Sequence, residues 1–268
     1  MNHDAAMAIV QFDKKGPGNI LWAAHSERYS KIKNDHFLNE DIVAEARTYG
    51  WDKVIYYEKP ILKKTRQIYA GQYGIAFDSK EMPQHHLKKF GIKIDEYVKH
   101  HDSHAAAGYY TSGFKDAVIL TVDAIGEWET ISISKGYNQK AIERMEEIRY
   151  PHSIGVLYSA FTQRCGLKPA EEEYILMGMA AYGTPKYKDD IYKDFVVRNP
   201  FRLKKNLHRG IGEWHPEADP MDLAASIQAV TEECLTHLWE RASWYSGFGN
   251  KNLVYAGGVA LNCAANKV

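Results

Sequence analysis

The sequence predicts an α/β fold in which buried strands alternate with helices, an arrangement that gathers ligands at the carboxyl ends of the strands. Three observations predict it. Residues 117–122 (AVILTV) are an unbroken apolar run, too short for a helix, that ends on Asp123. Leu223, Ile227, Val230, Cys234 and Leu238 recur at the 3.6-residue period of a helix buried along one stripe. Residues 253–256 are a second strand-like run and lead into Gly257 and Gly258.

The elements follow in chain order. Residues 5–12 (AAMAIVQF) suit a strand, 13–19 (DKKGPGN) carry turn residues, and 20–24 start a return strand, so the chain opens on a hairpin. Residues 39–49 read as a helix that Gly50 stops. Residues 53–57 (KVIYY) read as a short buried strand ended by Pro60. Residues 63–90 are polar and histidine-bearing, with no period that assigns an element. Residues 94–98 read as a strand leading into an Ala-rich helix over 102–110, closed by Gly113. Residues 131–134 are the expected hairpin partner of the 117–122 strand. Residues 154–165 read as a helix stopped by Gly166, and 223–239 as the clearest helix, with Asp222 as its N-cap.

Composition removes several function classes. Lys plus Arg and Asp plus Glu are both 34, a formal net charge of zero, which argues against a grip on nucleic-acid phosphates. The apolar runs fall far short of the roughly 20 residues of a membrane span. No basic-then-apolar signal opens the chain. Cys165, Cys234 and Cys263 are odd in number and lack C-x-x-C spacing, which argues against a disulfide framework or thiolate metal site and predicts a reducing, cytoplasmic setting. Each lies among apolar neighbours, so a structural thiol is expected. Neither a G-x-S-x-G elbow nor a Walker pattern occurs.

The segment KHHDSHAAAGYY places His100 and His104 four apart, on one helix face, where two imidazoles can hold one cation. The zinc-protease pattern needs a glutamate where His101 stands. Solvated or capping histidines satisfy the same spacing. Asp123 ends the strand that follows the histidine helix, and two imidazoles with one carboxylate make a mixed site suited to iron, manganese, zinc or magnesium. Glu127 is either a partner of that site, the acid of a substrate pocket, or an exposed loop residue. Gly257, Gly258 and Asn262 in AGGVALNC read as a strand–turn–helix junction able to meet a nucleotide phosphate, or as an ordinary tight turn.

Taken in order, KHHDSHAAAGYYTSGF, VDAIGEWET, YPHSIGVLYSAFTQRCGLKPAEEEYILMGMAAYGTPKY, DLAASIQAVTEE and AGGVALNC resemble the O-carbamoyltransferase family of nodulation-factor and antibiotic carbamoyltransferases. NHDAAMAIV and SERYSKIKND extend the resemblance over nearly the whole chain. It implies a duplicated, ribonuclease H-like, actin-like ATPase fold. Residues 1–115 would form a first lobe lacking its first strand, and 116–268 an incomplete second lobe, with a C-terminal YrdC-like domain absent. It implies ATP-dependent chemistry: the YrdC-like domain joins carbamoyl phosphate and ATP into carbamoyl adenylate, and the actin-like part passes the carbamoyl group to a small-molecule hydroxyl acceptor. His100, His104 and Asp123 would hold a divalent metal, iron in such enzymes, with a further Asp beyond Val268. Gly257, Gly258 and Asn262 would meet the nucleotide, and His3 or Asp4 is a guess for the general base. Two positions depart from the family pattern: Ile175 stands at a customary lysine and Ala124 at a customary glycine. The other reading is an actin-like nucleotide-binding regulatory or assembly module with a vestigial site.

Overall fold

The computed structural model describes residues 4–12, 18–246 and 252–267. The chain divides into two units, Met1–Val98 and Lys99–Val268.

The first unit opens on the expected hairpin. Strand β1 (Ala6–Gln11) pairs antiparallel with β2 (Asn19–His25), with a bulge between Ile9 and Val10. The predicted turn over 13–19 lies largely outside the described residues. Short α1 (Ser26–Ser30) precedes α2 (Glu40–Arg47), whose cap Asn39 accepts the Ile42 N–H at 2.9 Å through its side-chain oxygen. Ile42, Val43 and Ala46 are the buried residues of α2, and Ile42 and Val43 pack with Leu38, Tyr56 and Leu87. Strands β3 (Ile55–Tyr56) and β4 (Glu96–Tyr97) pair in parallel, with α3 (Pro60–Tyr69), α4 (Tyr73–Phe77) and α5 (Pro83–Lys88) between them. These helices fill the segment for which periodicity assigned nothing. They are short, and two of them start on proline, the residue suited to a first helical position. The two strands are shorter than expected because Val54 gives its N–H to the Asp95 carboxylate rather than to a ladder.

The second unit is built on a mixed sheet in the order β10-β5-β6-β7. Helix α6 (His100–Thr111) leads into β5 (Ala117–Val122), which pairs antiparallel with β6 (Glu129–Tyr137); β6 pairs antiparallel with β7 (Ala141–Arg149). Helices α7 (Ile154–Arg164), α8 (Glu173–Met179) and α9 (Lys188–Asp194) follow, then the small ribbon β8 (Val196–Val197) and β9 (Arg202–Leu203). The long α10 (Pro220–Ser246) precedes β10 (Leu253–Ala256), which lies parallel to β5.

The continuous apolar run of β5 has a direct cause, because both faces are covered. Val118, Leu120 and Val122 pack into the core formed by Ile154, Leu157 and Phe161 of α7 and Ile227, Val230 and Cys234 of α10. Ala117 and Ile119, on the opposite face, meet Ala105 and Tyr109 of α6 and Val254 of β10. Helix α6 therefore groups with the strands that follow it. One expectation is corrected: α10 begins at Pro220, so Asp222 lies inside its first turn and is not the N-cap. Its carboxylate instead accepts the Thr184 N–H at 2.8 Å and the Thr184 hydroxyl at 3.2 Å, tying the preceding loop to the helix.

Candidate functional site

The site grows from the first turn of α6 and the end of β5. Lys99 is extended and starts the helix, so His100 and His104 stand one turn apart on one face, with ring centroids 4.6 Å apart. Strand β5 ends at Val122 and delivers Asp123 beneath them. The Asp123 Oδ2 atom lies 2.6 Å from His100 Nε2 and 3.4 Å from His104 Nε2. The two Nε2 atoms are 3.1 Å apart. Burial works to raise the Asp123 carboxyl pKa, but hydrogen bonds from the two imidazoles, His100 first, hold it well below the usual range.

The surroundings fix this geometry. Glu127 is fully buried, and its carboxylate accepts the His100 backbone N–H at 3.0 and 3.2 Å, a charge set at the positive end of α6. His101 is fully buried, with its Nδ1 3.1 Å from Ser132 Oγ on β6; burial pulls its pKa down to about 3, so the ring is neutral. Ser153 caps α7 by accepting the Val156 N–H at 3.0 Å, and its hydroxyl donates to Ala124 O at 2.5 Å. Gly155 lets α7 approach the same loop: a Cβ there would sit 2.6 Å from Ala124 Cα.

The glycine turn touches the site through the other oxygen of Asp123. Asp123 Oδ1 accepts from Ala124 N at 2.8 Å and Gly258 N at 3.3 Å. A side chain on Gly258 would meet this oxygen at 2.8 Å. Gly257 takes φ 99°, a left-handed conformation, and a Cβ there would lie 2.2 Å from Val122 O. Both glycines thus allow the turn to lie against the end of β5. The turn continues as a 3-10 turn over Gly258–Leu261 rather than an α-helix. Asn262 exchanges amide hydrogen bonds with Gln228 of α10, at 2.9 and 3.1 Å, and accepts the Ala265 N–H at 3.1 Å. Its amide is engaged in holding the turn on α10.

The structure thus brings His100, His104, Asp123, Glu127, Gly257 and Gly258 together at one end of the sheet. Asp4 belongs to the first unit, where it takes φ 54°, and His3 lies outside the described residues. The thiol expectation differs at one position: Cys234 is buried, whereas Cys263 is exposed. Sequence reasoning missed Ser153 and the neutral His101. Ser153 carried a signal, a serine directly before an apolar helical run. His101 carried none, since only the sheet packed against α6 makes it interior.

The donor set suits a divalent cation. Among the described residues, His100, His104 and Asp123 form a group whose ligand atoms all lie within 4.8 Å of one another. Two imidazole nitrogens and a carboxylate oxygen bound to one tetrahedral ion at about 2.0–2.1 Å would stand about 3.3 Å apart, close to the 3.4 and 3.1 Å that separate His104 Nε2 from Asp123 Oδ2 and His100 Nε2, and longer than the 2.6 Å between His100 and Asp123.

Residues 52–268 match the family model described as the carbamoyltransferase N-terminus. An uncharacterized protein of Synechocystis sp. is 32% identical, the alignment covering 98% of this chain and 50% of that protein. The nodulation protein NolNO of Sinorhizobium fredii is 27% identical over 98% of this chain and 42% of its own length. The chain therefore spans half or less of these curated relatives. Among solved structures, an Aquifex aeolicus Ppx/GppA phosphatase aligns with 100% of this chain and 96% of its own at 13% identity, with a TM-score of 0.31, a distant likeness.

Proposed function

The chain belongs to the carbamoyltransferase N-terminus family, and from that premise we propose that it performs the transfer half of an ATP-dependent O-carbamoyltransferase reaction, on a duplicated actin-like fold. The donor is carbamoyl adenylate, made from carbamoyl phosphate and ATP by a YrdC-like partner domain, and the acceptor is a small-molecule hydroxyl. The observation that carries the reading is the convergence of two imidazoles and a carboxylate on one point beside the glycine turn.

Each residue has a part. His100 and His104 would hold a divalent cation through Nε2, and Asp123 through Oδ2, iron in the family's pattern. A cation bound there supplies Lewis-acid chemistry, lowering the energy of charge that develops on the departing phosphate. Asp123 Oδ1 holds the glycine turn, so one carboxylate would tie the cation site to the turn that would meet the nucleotide. Gly257 and Gly258 let the turn lie against the end of β5, which sets its backbone where a phosphate would meet it. Glu127, spent on the His100 N–H, is a positioning residue that keeps α6 in register, and Asn262 positions the turn. In the transfer, the acceptor oxygen bonds to the carbamoyl carbon and the bond from that carbon to the adenylate phosphate oxygen breaks. AMP leaves, and the hydroxyl proton passes to a general base.

The test supplies synthetic carbamoyl adenylate, ferrous iron and a panel of sugars, nucleosides and aminoglycosides to the chain. The reading expects AMP release that rises with one acceptor class, matched mole for mole by O-carbamoylated product, and abolished by His100→Ala. AMP release that is indifferent to acceptor and to His100 would overturn it.

A further inference from the structure

Three elements of the second unit meet at one buried side-chain amide. Helix α10 puts Gln228 and Glu232 one turn apart on one face, α7 supplies Tyr158, and the segment leaving the glycine turn supplies Asn262. Gln228 and Tyr158 are both 6% exposed. Gln228 Oε1 accepts the Tyr158 hydroxyl at 3.0 Å and the Asn262 Nδ2–H at 2.9 Å. Gln228 Nε2 donates to Asn262 Oδ1 at 3.1 Å and to Glu232 Oε1 at 2.9 Å. A primary amide has two acceptor lone pairs and two N–H bonds, so the whole capacity of Gln228 is used. The network also fixes which way round each amide stands. An ionised carboxylate only accepts, so the Gln228 atom facing Glu232 is the nitrogen, and its oxygen is left for Tyr158. That arrangement points Asn262 Oδ1 at Gln228 Nε2 and leaves it able to accept the Ala265 N–H at 3.1 Å. The Asn262 N–H donates to Val259 O at 3.0 Å. The orientation set by Tyr158 and Glu232 therefore reaches the backbone directly after Gly257 and Gly258.

We propose that Gln228 is a positioning residue for the nucleotide: it locks the glycine turn to α7 and α10, and Tyr158 and Glu232 hold its amide in the orientation that makes the lock. The proposal rests on the carbamoyl-transfer reading, in which that turn meets the nucleotide. The turn has little else to hold it. It is a 3-10 turn of four residues, Gly258–Leu261, on the end of a four-residue strand, and Leu261 is 82% exposed. Its front is tied to Asp123 Oδ1 through Gly258 N at 3.3 Å, and its back to Gln228 through Asn262. The front tie shares its carboxylate with the candidate cation site, so the back tie is the one that does not depend on a metal. Binding to a turn already held in place loses less conformational freedom, so the back tie acts on nucleotide affinity. It also assigns the Asn262 amide to the turn rather than to the ligand. A ligand competing for that amide would break two bonds to a buried partner and leave Gln228 with unpaired polar atoms.

The experiment uses the whole chain, AMP as the probe, and three readouts: AMP affinity by calorimetry, exchange of the Ala265 amide by NMR, and retained iron. Gln228→Met keeps the length of the side chain and removes all four bonds. It should weaken AMP binding at least about tenfold, speed Ala265 exchange, and leave retained iron at the wild-type level. Tyr158→Phe removes only the hydroxyl and keeps the ring in the core. It should move AMP affinity and Ala265 exchange in the same direction, and it carries the test alone if Gln228→Met does not fold. In the Gln228→Met background its effect on AMP should vanish, because the hydroxyl acts through that amide. Faster exchange with unchanged AMP affinity would make the network a matter of stability alone and overturn the proposal, as would unchanged exchange in both variants. A wild type that retains iron but binds no AMP would overturn the nucleotide reading of the turn and the proposal with it. A wild type that binds AMP no better than Gln228→Met overturns the proposal and leaves that reading intact.

Discussion

Asp123 divides its two oxygens between two tasks, and this makes the neighbouring residues separable by experiment. Oδ2 lies against the imidazoles and Oδ1 against Gly258. His104→Ala removes one donor atom and should weaken divalent-cation binding by more than about 100-fold, beyond what loss of an orienting partner does. Glu127→Gln keeps an oxygen for the His100 N–H but loses the charge at the start of α6. It should weaken binding by about 10–100-fold, read by competition with a chelating dye, with little change in Tm. Asp222 offers a pH test away from the site. The Lys186 ammonium and, after it, the Thr184 N–H hold its carboxyl below the usual range. A carboxyl depressed by folding adds stability above its unfolded pKa of about 3.9 and loses that contribution as the pH falls through its folded value. Wild type should therefore melt above Asp222→Asn at pH 7, and the gap should close below about pH 4, measured by Tm across a pH series. At this scale the convergence of His100, His104 and Asp123 was legible, because i, i+4 spacing and a strand-end carboxylate are sequence patterns. Glu127's part was not, since it depends on a loop folding back onto α6.

Elements hold the site through close approaches that only small residues permit. Gly155→Ala puts a methyl 2.6 Å from Ala124 Cα, between α7 and the loop that carries Asp123. It should cost about 1–3 kcal/mol by urea unfolding and weaken cation binding as well, because the loop must yield. Ile227→Ala, by contrast, opens the fully buried face of α10 in the core beneath the sheet. It should cost about 2–5 kcal/mol and, if the protein still folds, leave cation affinity within a few-fold of wild type. The long amphipathic α10 and doubly covered β5 were readable, since burial writes itself into periodicity. Strand β7 was not. Its sequence AIERMEEIR is charged and its burial is partial, so the alternation is masked by residues that favour helix. Of the proline-started helices between β3 and β4, α5 is six residues long, too short for a period to show.

At the scale of the whole molecule, two units carry different kinds of information. The second holds the candidate centre on a four-stranded mixed sheet, with α6 on one face and α7 and α10 on the other. The first holds two separate ribbons: β1-β2, whose hairpin pairing the sequence announced, and β3-β4, whose pairing it did not. Pairing of short strands depends on partners distant in sequence, which local pattern does not specify. The central claim is that His100, His104 and Asp123 form a cation site, and the direct measurement is metal stoichiometry after anaerobic loading with ferrous iron and desalting. About one ion per chain should remain on wild type, and none on the chain carrying His100→Ala, His104→Ala and Asp123→Ala together. Equal occupancy in both proteins, or no retained ion in a folded wild type offered iron, manganese, zinc and magnesium in turn, would contradict it.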